Sequence, residues 1–160
     1  MNCSIAKALD EVGEWWSLLI VRECTQGVCR FDEFQARLGI ARNILTTRLE
    51  RLTGLGVLER FPLEGRAGVD GYRLTPKGED LYPVLVALMQ WGDRWLLKDE
   101  QPPTVLLEDA TGESIDLLAV YGKSGRRLSF RDVRFAEGPG ATDTARALIK
   151  DRNARVLSGG

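Results

Sequence analysis

Between Arg42 and Leu52 the chain sets Arg42, Asn43, Thr46, Thr47, Arg48 and Arg51 among leucines, six side chains rich in hydrogen-bond donors. An arginine fork matches the two acceptors of a guanine edge, asparagine pairs with the edge of adenine, and threonine reaches a phosphate or a thymine methyl. A second chemistry belongs to Cys3, Cys24 and Cys29. Three is an odd number, and no basic stretch, apolar stretch and cleavage site open the chain, so a disulfide framework is not expected and thiol oxidation is the open alternative. The sequence has no histidine. It also shows no nucleophile paired with a base, no phosphate-binding glycine loop and no paired catalytic carboxylates, so we expect no enzyme and no cofactor.

The donors need a scaffold, and the hydrophobic periodicity supplies one. Ser4 to Val12 reads as a short amphipathic helix with Ser4 as a plausible N-cap. Glu14 to Glu23 reads as a second helix, apolar nearly all round, with Trp15 and Trp16 expected in the core. Phe31, Phe34 and Leu38 mark a third helix that Gly39 ends, and after a short turn a fourth runs from Arg42 to about Thr53. Helix, tight glycine turn, helix is the shape of a helix-turn-helix. Val57 to Phe61 and Gly71 to Leu74 then alternate as two strands around a loop holding Gly65, Arg66 and Gly68, which reads as a wing.

Thr75 and Pro76 open a helix expected to run to about Leu97, with Leu81, Val84, Leu85, Leu88, Trp91 and Trp95 on one stripe. A stripe of that length suggests packing on a second chain, with Leu81, Leu85, Leu88, Trp91 and Trp95 as dimerisation residues. Gln101-Pro102-Pro103 is the best boundary, dividing residues 1–100 from residues 104–157. Beyond it Thr104 to Glu108, Ser114 to Tyr121 and Leu128 to Phe135 read as strands and Thr142 to Arg152 as a short helix. The fold class is therefore α+β: a winged helix-turn-helix domain with a long C-terminal dimerisation helix, plus a small β-rich extension of unknown role.

With 160 residues, 44% of them hydrophobic, and a net charge of −1, the chain is globular and not basic as a whole. Its charge is segregated. Up to Ala36 three cations face six acidic residues, whereas from Arg37 to Lys77 eight cations face four. Charge alone fits either a nucleic-acid surface or a merely solvated one. No apolar run nears the roughly 18 to 20 residues that span a bilayer, and a cytoplasmic protein is expected.

The strings Arg30-Phe31-Asp32-Glu33-Phe34, Ile44-Leu45-Thr46-Thr47-Arg48-Leu49-Glu50-Arg51-Leu52, Gly56-Val57-Leu58-Glu59-Arg60 and Tyr72-Arg73-Leu74-Thr75-Pro76-Lys77-Gly78 are distinctive in this order. The chain resembles the bacterial HxlR-type winged-helix regulators, relatives of the MarR repressors, from about Cys3 to Trp95. The resemblance implies a cytoplasmic homodimer acting as a transcription regulator, a repressor in the reading preferred here, on a double-stranded, pseudo-palindromic DNA operator. It places Arg42, Asn43, Thr46, Thr47, Arg48 and Arg51 in or beside the major groove and Arg66 at the wing tip. It also implies a thiol sensor at Cys3, since several members sense oxidants through a cysteine near the chain start. Cys24 and Cys29 are further redox candidates, and a small-molecule effector is the other implied partner.

One departure is local: the family often has a serine where Ala41 stands, and losing that cap typically costs about 1 kcal/mol. The extension is similar in length to that of some longer relatives, in which the resemblance implies cysteines or a histidine in the two turns of a zinc-ribbon-like arrangement. Here Asp109-Ala110-Thr111-Gly112 and Gly122-Lys123-Ser124-Gly125 carry neither, which excludes a thiolate or imidazole zinc site there. The extension is then expected to rest on a core of Val105, Leu107, Ile115, Leu117, Val120, Leu128, Phe130, Val133 and Phe135. Two alternatives stand beside the regulator: a thiol redox protein using Cys24 and Cys29, and a winged protein-interaction module without DNA binding.

Overall fold

A computed structural model describes residues 3–65, 68–97 and 100–157. Cys3–Pro103 forms one compact unit and a second begins at Thr104. In the first, α1 (Ser4–Val12), α2 (Trp15–Thr25), α3 (Phe31–Leu38) and α4 (Arg42–Gly54) precede an antiparallel hairpin of β1 (Leu58–Pro62) and β2 (Asp70–Leu74). The hairpin pairs Leu58 with Leu74 and Pro62 with Asp70, which fixes the register of the wing.

Ile20 and Val21 of α2, Phe34 of α3, Leu45, Leu49 and Leu52 of α4, and Val57 and Leu58 are fully buried or nearly so and form the core. Gly39 ends α3 at φ +62°, a left-handed conformation that costs a side-chain-bearing residue about 1–2 kcal/mol. Its N–H donates to the Gln35 carbonyl at 3.0 Å, and the turn then drops Ile40 into the core before α4 begins. The Tyr72 N–H donates to the Cys29 carbonyl at 2.8 Å, so the α2–α3 loop is stitched to the wing.

Three local expectations are corrected. Cys3, not Ser4, is the N-cap residue of α1, without a side-chain cap bond. Trp15 is 60% exposed, stacked on Trp16 at 3.9 Å, because a helix apolar nearly all round leaves one flank uncovered within the protomer. The single helix expected after Thr75 is two: α5 (Pro76–Glu79) and α6 (Tyr82–Trp95). Pro83 explains the break. It has no N–H to give the preceding turn, so it belongs in the first turn of a new helix, and the chain restarts there. Thr75 does cap α5, accepting from the Gly78 N–H at 3.3 Å.

The second unit holds β3 (Val120–Tyr121) paired with β4 (Arg127–Leu128), one bridge between Leu107 and Ser114, and α7 (Asp143–Leu157). The three expected strands shrink to these pairings, and the expected core is not one. Val105, Leu107, Leu117, Val120, Phe130 and Phe135 are all more than half exposed, and Ile115 is exposed too. A unit this small has too little volume to enclose nine apolar side chains. Polar contacts hold it instead. Arg152 donates to the carbonyls of Val133 at 2.5 Å and Phe130 at 2.9 Å and lies over the Phe135 ring, while Asn153 exchanges two hydrogen bonds with the Phe135 backbone. Asp132 accepts from the Ser129 N–H and hydroxyl and from Arg126, which holds its carboxyl at about 2.

Candidate nucleic-acid interface

Three leucines decide which way α4 faces. With Leu45, Leu49 and Leu52 inward and about 100° of turn per residue, Asn43, Thr47 and Glu50 lie opposite the core. All three are exposed, as are Arg42 and Thr46. The Thr46 and Thr47 hydroxyls donate to the carbonyls of Arg42 at 2.9 Å and Asn43 at 3.0 Å, leaving their methyl groups and oxygen lone pairs outward. The Arg42 guanidinium lies 4.8 Å from the Phe31 ring centroid, which pins it beside the start of the helix. Ala41 occupies the N-cap position in extended conformation and makes no side-chain cap bond, so the first turn leaves its N–H groups open.

The remaining two arginines point elsewhere. Arg48 Nε stands 3.1 Å from Glu14 Oε2, and Arg51 donates to the Asp10 carbonyl at 2.5 Å. Structure thus brings Arg42, Asn43, Thr46 and Thr47 onto an open surface and ties Arg48 and Arg51 to the corner between α1 and α2. Glu50, which the sequence reading did not count among the DNA-contacting residues, shares the outward face because it stands seven residues after Asn43, two helical turns on. Among the described residues no ion pair involves it. Arg66 lies outside the described residues. On the wing itself Arg60 lies over the Tyr72 ring, and Arg73 pairs with Glu59 at 2.6 Å.

Of the five dimerisation candidates, Leu81 and Leu85 pack against the core of their own chain, while Leu88, Trp91 and Trp95 are 51–60% exposed. Ile5 and Leu9 of α1 and Trp15 are exposed apolar residues of the same unit, and α1 and α6 both pack on α2. Cys3 is exposed, and the neighbouring backbone N–H groups of Ala6 and Ile5 at the start of α1 hold its thiol below the ordinary cysteine value. Cys24 and Cys29 are both free thiols bordering one shallow cleft of about 390 Å³ with Phe61, Tyr72 and Glu79. Burial, reinforced by Cys29 and Glu23, pushes the Cys24 thiol up to about 12, so it stays protonated near neutral pH. A thiol in that state is a poor nucleophile.

A family model described as HxlR-like helix-turn-helix matches residues 11–100. The HTH-type transcriptional regulator MT3179 of Mycobacterium tuberculosis is 41% identical over 137 residues, 86% of this chain and 87% of the relative. The crystal structure of PA1607, a candidate transcription factor, is 39% identical and superposes with a TM-score of 0.80 over 86% of this chain and 96% of its own. The redox regulator HypR in its oxidised form is 27% identical, with a TM-score of 0.53, over 57% of this chain and 96% of its own. These relatives are transcription regulators and not enzymes. Among the described residues no helix is long and apolar enough to cross a membrane.

Proposed function

Because the chain belongs to the HxlR-like helix-turn-helix family of transcription regulators, we propose that it acts as a homodimeric repressor on a pseudo-palindromic operator. In this reading α4 enters the major groove. Asn43, Thr46, Thr47 and Arg42 meet base edges and phosphates, and the wing with Arg66 follows the flanking backbone. The observation that carries the reading is the two-sidedness of α4: leucines inward, hydrogen-bonding groups outward, in a chain otherwise acidic. Exposed Leu88, Trp91, Trp95, Ile5 and Leu9 supply apolar surface for a second copy, whose α4 would then reach the next major groove, about 34 Å away.

In the same reading Cys3 is the regulatory thiol. Its thiolate, more readily formed than that of an ordinary cysteine, attacks one oxygen of hydrogen peroxide, giving the sulfenic acid and hydroxide, at the edge of the α1 surface offered to the partner. The resemblance to a redox regulator supports this assignment.

Selection of fragments from the source genome with purified protein tests the function. The expected product is one or a few promoter sites, each footprinted as two half-sites about one helical turn apart. Transcription from such a promoter should fall as protein is added and recover when peroxide is present. A monomer by sedimentation, or no enriched fragment at low salt, refutes the proposal. Rising transcription refutes the repressor part alone.

A further inference from the structure

Three tethers converge on the corner between α1 and α2. Arg51 Nη2 donates to the Asp10 carbonyl, Lys77 Nζ donates to Glu11 Oε2 at 2.8 Å and to the Leu55 carbonyl at 3.0 Å, and Arg48 Nε stands 3.1 Å from Glu14 Oε2. A carbonyl and two carboxylates between Asp10 and Glu14 therefore take up two cations from α4 and one from α5. Arg48 is the most enclosed of the three cations, its side chain 26% exposed against 52% for Lys77, while Arg51 is exposed.

We infer that Glu14 and Arg48 are a positioning pair that fixes how α4 stands on α1 and α2, and that Arg48 is not itself a DNA ligand. The inference rests on the regulator reading above and sharpens it. Arg48 Nε and Glu14 Oε2 are both shielded from water, and they stand within ion-pair distance without the alignment of a hydrogen bond, so charge alone joins them. Drawing Arg48 out to a phosphate strands a shielded carboxylate oxygen in the corner, which is the expensive way to break a pair. Geometry points the same way. On the helical wheel Arg48 lies about 65° from the centre of the buried leucine stripe, on the flank, while Asn43, Thr47 and Glu50 hold the outward face.

The test is the salt dependence of binding by the full chain, measured between 50 and 200 mM salt on a selected genomic fragment and on poly(dI-dC). Each phosphate contact adds about 0.9 to the slope of log K against log salt. Arg48→Gln is expected to weaken binding to the selected fragment about tenfold with the slope unchanged and with poly(dI-dC) binding within about twofold. Glu14→Gln is expected to do the same, and the double variant to be no weaker than Arg48→Gln alone, as coupled partners require. A slope reduced by about 0.9 in Arg48→Gln, tighter binding by Glu14→Gln, or fully additive losses overturns the inference. If Arg48→Gln does not fold, Glu14→Gln decides alone: weaker binding at an unchanged slope supports the pair, and any other result removes it. Wild type that binds neither duplex refutes the regulator reading instead.

Discussion

Glu23 is the group whose removal should most clearly disturb the scaffold under α4. Its carboxylate is 2% exposed at the end of α2, where the helix dipole already disfavours a negative charge. Arg22 answers it from the same helix, with Nε at 3.1 Å, and Arg37 of α3 answers from across the gap while also donating to Gln26. The cluster therefore locks α2 to the first helix of the helix-turn-helix. Glu23→Gln keeps the shape but leaves one guanidinium bonded to an uncharged amide oxygen and turns an amide N–H toward the second guanidinium. Two such bonds contribute about 1.5–3 kcal/mol each. The arginines are about half exposed, so once released they rehydrate instead of remaining stranded, and the cost falls below the 3–5 kcal/mol of a wholly buried pair. About 2–3 kcal/mol is expected, or roughly 10–20 °C in melting temperature for a unit of this size.

All four tryptophans, at 15, 16, 91 and 95, lie in the first unit, so their fluorescence in a urea titration reports this unit without the extension. The pH dependence supplies the sharper check. Burial alone pushes the Glu23 carboxyl up, but the bonds from Arg37 and Arg22 outweigh it and hold the group below its ordinary value. A depressed folded-state value means that the stabilisation is complete above the unfolded-state value near 4.5 and disappears as pH falls through the lower folded-state value. The gap between wild type and Glu23→Gln should therefore be widest at pH 6–7 and narrow steadily below pH 4.5. A gap under about 1 kcal/mol at pH 7, or one unchanged down to pH 3, refutes the clamp.

Three further outcomes follow from single positions. Gly78→Ala places a Cβ 2.3 Å from the Val57 carbonyl oxygen, and since that atom is backbone the same titration should show a loss of about 1–3 kcal/mol. Ala41→Ser restores a cap acceptor to α4 and should raise stability by about 0.5–1 kcal/mol; no gain would mean that the extended Ala41 backbone cannot aim a hydroxyl at the open N–H groups. Iodoacetamide at pH 7.5 should label Cys3 long before Cys24, as read by mass spectrometry of peptides, and the Cys3 rate should rise through a midpoint below that of an ordinary thiol. Equal labelling of the two would overturn the assignment of Cys3 as the responsive thiol.

The scaffold was legible where local chemistry decides it. Gly39 could only end a helix, Leu45, Leu49 and Leu52 could only define one face, and Thr75-Pro76 could only start a new turn. Sequence reasoning failed where two local signals competed or where a distant residue decided. The long apolar stripe after Thr75 outvoted Pro83, and the chain obeyed the proline. Alternation beyond Pro103 looked like a sheet with a core, yet the pairings are short and Arg152 bridges 19 to 22 residues back to carbonyls that no pattern marks. Arg51 is claimed by a carbonyl 41 residues earlier, which spacing along α4 gives no means of anticipating.

That last contact alters what the charge segregation means. The excess of cations from Arg37 to Lys77 read as an electrostatic footprint, but Arg37 serves Glu23, Arg48 and Arg51 serve the α1–α2 corner, Arg73 serves Glu59 and Lys77 serves Glu11. Arg37, Arg48 and Lys77 are thus balanced by carboxylates of the acidic stretch, Arg51 is held by one of its carbonyls, and these four work as a fastening between α1–α2 and the helix-turn-helix. The outward face of α4 is left with an amide, two hydroxyls, Arg42 and the carboxylate of Glu50. Such a face gains little from counterion release and much from hydrogen bonds to base edges. On the proposed reading, the protein should therefore discriminate well between sequences while binding DNA at large only weakly. Glu50 sharpens that contrast, because a carboxylate repels phosphate wherever it does not find a cytosine amino group to accept from.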